Sequence, residues 1–91
     1  MRPTVAGMVT PHVLRVVDLA TQAEQGVNVD WHVRDAVTRS MEALADQFNA
    51  HDLVETYLQG LDNAAERATQ RPTYVRTLRS AAEIARRLRR D

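Results

Sequence analysis

Few residues in this 91-residue chain combine the type and spacing that chemistry needs. The histidines are His12, His32 and His51, and the serines are Ser40 and Ser80. His51 precedes Asp52, as a base might sit beside an orienting carboxylate, but Asp52 also stands where a helix cap is needed. No Glu-x-x-His pair of a carboxylate-bridged metal bundle occurs, and no cysteine supplies a thiolate. Ser40 falls on an apolar stripe, where a hydroxyl is expected to bond a carbonyl of its own helix. No glycine-rich loop is present to cradle a phosphate. These residues predict no catalytic, metal or cofactor site, and a protein that is not an enzyme.

The stronger pattern is ionic. All 12 basic residues are arginine, balanced by 12 acids. Residues 1–70 carry five Arg and ten acids, whereas 71–91 carry seven Arg and two acids. Arg76, Arg79, Arg86, Arg87 and Arg90 share about 100° of arc on one helix side, interrupted by Glu83. Such a side suits a helix C-terminus, and it also forms a face for acidic protein or for phosphate. It lacks the interleaved aromatics that stack on bases, and the acidic remainder of the chain repels a long polyanion. A helix-turn-helix spacing from Leu44 to Leu58 fails because Glu55 stands where that motif buries an aliphatic residue. Glu55, Asp62 and Glu66 read better as an acidic docking face for the arginines, within one chain or between two copies. Trp31 lies about 130° from the middle of its helix's apolar stripe. It is either covered by the N-terminal arm or preceding turn, or it anchors a partner.

The elements that would carry these residues are helical. Thr10-Pro11 opens a first helix as cap and first helical residue, Val13, Val16, Val17, Ala20 and Ala23 form its stripe, and Gly26 stops it. Asn28 caps a second, in which Val29, Val33, Ala36, Val37, Ser40, Met41, Leu44 and Phe48 share a side and Asn49 turns the chain left-handed. Asp52 and Glu55 imitate a capping box for a third, with Val54, Tyr57, Leu58, Leu61, Ala65 and Ala68 inward. Gly60 weakens that helix by about 1 kcal/mol relative to Ala and permits close packing. Arg71-Pro72 ends it, and Thr73 caps a fourth with Tyr74, Leu78, Ala81, Ala82, Ala85 and Leu88 inward. The expectation is an all-α bundle of four amphipathic helices over 10–25, 28–49, 52–70 and 73–90. Residues 1–9 form a flexible arm, and 10–91 form one helical domain.

Apolar residues make up 44% of the chain, but 13 of them are Ala and aromatics reach only 4%. Each buried Ala removes little area from water, so the core is thin and self-association, as a homodimer or larger homo-oligomer, is expected. No apolar run approaches the ~20 residues that cross a bilayer, and residues 1–10 lack a signal-peptide core. The expected location is therefore the cytoplasm. The function expected is a protein–protein interaction or assembly module: a regulatory adaptor, a complex subunit or a small viral protein that targets a host. Its binding residues are Arg76, Arg79, Arg86, Arg87, Arg90 and Trp31. The alternative is a nucleic-acid-binding accessory protein using the same arginines.

Overall fold

Most residues of each expected stripe fall on the inward side of a helix. The computed structural model describes residues 4–89. They form α1 (Val5–Glu24), α2 (Asp30–Ala45), α3 (Ala50–Glu66) and α4 (Pro72–Leu88). The all-α bundle is therefore as expected, with no strand among the described residues. All four helices contribute to one core, which centres on Val16, Val37, Leu53, Tyr57, Leu61 and Leu78.

Neighbouring helices run antiparallel. Glu55 near the start of α3 meets Arg89 after the end of α4, while Asp62 further along meets Arg79 and Arg86. His12 in the first half of α1 meets Ser40 in the second half of α2. At one end of the bundle Arg71 clamps Glu24 through its Nε at 2.9 Å and a second contact from its Nη2. Its guanidinium also lies 3.8 Å from the Tyr74 ring centre, a cation–π contact. The Arg71 hydrogen bonds hold the Glu24 carboxyl below the usual carboxylate range.

Several boundaries differ from the expectation. α1 begins at Val5 and runs through Pro11. Its cap is Thr4, whose hydroxyl accepts from Gly7 N at 2.9 Å, while Thr10 donates to the Ala6 carbonyl within the helix. A helical Pro costs about 3 kcal/mol, which burial of Val9 and partial burial of Val5 and Met8 offset. Of the expected arm, residues 1–3 lie outside the described residues and 5–9 are helix.

Gly26 does stop α1, with φ +89°. Gly26 N bonds Ala23 O and Val27 N bonds Gln22 O, the crossed pair of a Schellman motif. Asn28 accepts from Asp30 N at 3.1 Å and so caps α2 from one residue before the cap position.

α2 ends at Ala45, and residues 46–49 turn the chain into α3. Asn49 is the residue before α3, with φ −102°, rather than a left-handed terminator. Asp52 consequently sits in the first turn of α3, where its charge favours the helix N-terminus without capping it. α3 ends at Glu66 rather than being carried to Arg71-Pro72, so Ala68 lies in the turn of 67–70 that leads to α4. Arg71, not Thr73, occupies the cap position of α4, with Pro72 as first helical residue.

Candidate interaction surface

Two arginines of α4 and Arg89 after it pair with acids of α3 in their own chain. Arg86 donates to Asp62 at 2.6 Å, and Arg79 approaches the other oxygen of the same carboxylate at 3.5 Å. Arg89 donates to Glu55 at 2.7 Å, and Arg87 lies 3.5 Å from Glu83 one turn earlier. Asp62 and Glu55 thus pair with arginines of their own chain. Glu66 is exposed and makes no ion pair among the described residues. Arg76 is exposed, and Arg90 lies outside the described residues. A phosphate or an acidic partner would have to compete with Asp62 for Arg79 and Arg86. Exposed pairs of this kind contribute about 0–1 kcal/mol each, so they orient α4 against α3 rather than hold the fold.

Trp31 is 68% exposed in the first turn of α2, with the His32 ring edge-on at 5.4 Å. It is therefore not covered by the preceding turn. Its helix start lies at the opposite end of the bundle from Arg86 and Arg87, so those two expected features do not converge.

Among the described residues, the close pairing of histidine and serine is internal. His12 Nδ1 and Ser40 Oγ are 2.7 Å apart, and which of them donates depends on the imidazole tautomer. Ser40 therefore bonds across to α1 instead of to its own helix. Having only 1% of its surface exposed, its hydroxyl cannot meet a substrate in the folded bundle. Its use is to satisfy a half-buried imidazole, which lies edge-on to Tyr57 with ring centres 6.3 Å apart. Burial, helped by the Arg15 charge, pushes the His12 pKa below its ordinary value of 6.5.

That shift has a sign. The unfolded chain binds a proton at His12 more readily than the fold does, so the His12 contribution is complete above pH 6.5 and declines as pH falls toward the depressed folded value. We expect the urea midpoint to fall between about pH 7.5 and pH 5.5. His12→Asn should remove that dependence over the same window. An unchanged slope in the variant would assign the effect to another group.

A surface that the sequence reading missed lies at the α2–α3 turn. Phe48, expected on the inward stripe, is 101% exposed. α2 stops three residues before it, so the helical phase that pointed it inward no longer applies. Two small residues that bracket it, Ala45 and Ala50, line a groove of about 530 Å³. Met41, Val54 and Leu88 supply the other apolar walls, with Glu42, His51 and Arg89 at its rim. Leu88, expected inward, is 42% exposed there. The signal available in sequence was the turn chemistry of Asp46 and Asn49, which isolates Phe48 between two helices. A second groove of about 670 Å³ runs between α1 and α3, over Val13, Leu14 and Gly60.

No protein-family model, curated protein or solved structure matches this chain. Among the described residues no group of three or more His, Asp or Glu could hold a metal ion, and no helix is long and apolar enough to cross a membrane. The fold and surface define a class, the small four-helix bundle, with an apolar groove between helix ends.

Proposed function

We propose that the protein is a non-enzymatic interaction or assembly module that docks through the groove at the α2–α3 turn. The observation that carries this reading is the fully exposed Phe48 in the turn whose flanking residues Ala45 and Ala50 line an apolar groove. A phenyl ring left wholly in water forgoes burial worth about 1.5–3 kcal/mol, which a partner can recover. Aromatic anchors of this kind dominate binding energy at interfaces. The C-terminal arginines are not its anchor, because Asp62, Glu83 and Glu55 already engage Arg79, Arg86, Arg87 and Arg89.

The test compares matched baits. Phe48→Glu should abolish capture of a partner from native extract, whereas Arg79→Ala with Arg86→Ala should leave most of it. Full capture by Phe48→Glu, together with loss on removing the two arginines, would return the binding role to α4.

A further inference from the structure

We infer that the groove between α1 and α3 binds an amphiphilic anion, a carboxylate whose acyl tail lies along the groove and whose head meets Arg67. The groove has a volume of about 670 Å³, within the roughly 300–1,000 Å³ of small-molecule clefts. Val13, Leu14 and Val17 line it from α1, and Gly60, Ala64 and Ala68 line it from the α3 side. Leu14 is 57% exposed, so apolar surface remains there for a ligand to cover. The other polar side chains of the lining, Thr10, Thr56 and Asn63, are neutral. Thr10 already donates to the Ala6 carbonyl, and Asn63 already accepts from Gln59. The site stands apart from the docking surface at Phe48, since neither Leu14 nor Arg67 lines the other groove.

Charge sets which end holds the head, and its sign. Arg67 and Arg71 are the charged residues of the lining, and both stand where α3 gives way to α4. Among the described residues no Asp or Glu lines this groove. Arg71 is balanced by Glu24, and its guanidinium is held over the Tyr74 ring. Arg67 is exposed and makes no ion pair among the described residues. Glu66, its neighbour in sequence, does not line the groove. One unengaged cation at the end of an apolar valley is the complement of a single anionic head on an apolar tail. An acidic helix would bring several carboxylates to one arginine, and a neutral amphiphile would leave Arg67 unused.

Titration calorimetry with sodium decanoate, kept below its micellar concentration, and with 1-decanol as the uncharged probe tests this directly. Decanoate should saturate one site, and octanoate should bind about 15-fold more weakly, because two buried CH₂ groups are lost at about fourfold each. Arg67→Gln should weaken decanoate about tenfold and leave 1-decanol unchanged. Arg34→Gln, an equal loss of charge from an exposed position on α2, should change neither. Leu14→Asp should weaken both probes. Leu14 and Arg67 are exposed, so their variants should keep wild-type helicity. No saturable binding of decanoate at millimolar concentration, decanoate binding indifferent to Arg67→Gln, or probes indifferent to Leu14→Asp would each overturn the inference.

Discussion

Truncating Tyr57 to Ala is expected to cost about 3–5 kcal/mol, the range for deleting a buried aromatic ring. Tyr57 has no exposed surface and lies at the centre of the core, edge-on to His12. For a domain whose total stability is about 5–15 kcal/mol, such a loss leaves little or no folded margin. The melting temperature should fall by about 4–8 °C for each kcal/mol lost, measured by far-ultraviolet circular dichroism.

Tyr57→Phe separates the ring from its hydroxyl. The Tyr57 hydroxyl has no hydrogen-bond partner among the described residues, although it lies near Ser40, whose oxygen is engaged by His12. Burial pushes the phenol pKa up to about 12, so the group stays neutral wherever the bundle is folded under ordinary conditions. A buried, unpaired hydroxyl costs about 1–3 kcal/mol, so its removal should leave stability unchanged or raise it. A loss above about 1 kcal/mol in Tyr57→Phe would instead show that the hydroxyl is bonded in solution.

Gly60→Leu is the second large effect, and its direction runs against helix propensity. Gly60 lies inside α3, where replacing Gly normally gains about 1 kcal/mol. Here a Cβ built on Gly60 would lie 2.8 Å from Val13 Cγ2 of α1. Val is stiff at χ1 in a helix, so the neighbour cannot swing aside, and overpacking costs about 1–3 kcal/mol. Gly60→Ala should therefore be neutral to destabilising, and Gly60→Leu should lose at least about 2 kcal/mol because more atoms must be accommodated. Val13→Ala in the same chain should restore much of the Gly60→Ala loss, a coupling that a double-mutant cycle in urea reads directly. A Gly60→Ala protein more stable by the full propensity gain would show that α1 and α3 stand further apart than this contact requires.

Both effects bear on the groove at the α2–α3 turn. The Gly60–Val13 contact sets the approach of α1 to α3, and α3 carries Ala50, His51 and Val54 into the groove. The surface is a by-product of how tightly the helices meet. Variants that disturb the core should consequently be judged by binding only after their helicity has been matched to wild type.

The sequence by itself determined the local facts about this protein. Four amphipathic stripes and the stop at Gly26 are written in neighbouring residues, because helical periodicity and end chemistry act within a few positions. The complementarity of Asp62 and Glu55 with the arginines of α4 was also visible, since it needs only opposite charge on adjoining helices. Tertiary structure decided the rest. It carried α1 back through Pro11 to Val5, because packing of Val9 outweighs a local penalty. It joined His12 to Ser40 across 28 positions and left Trp31 uncovered. By closing α2 at Ala45 it turned Phe48 out of the core and opened a groove beside it, an outcome set by how three helix ends meet and not by any one segment.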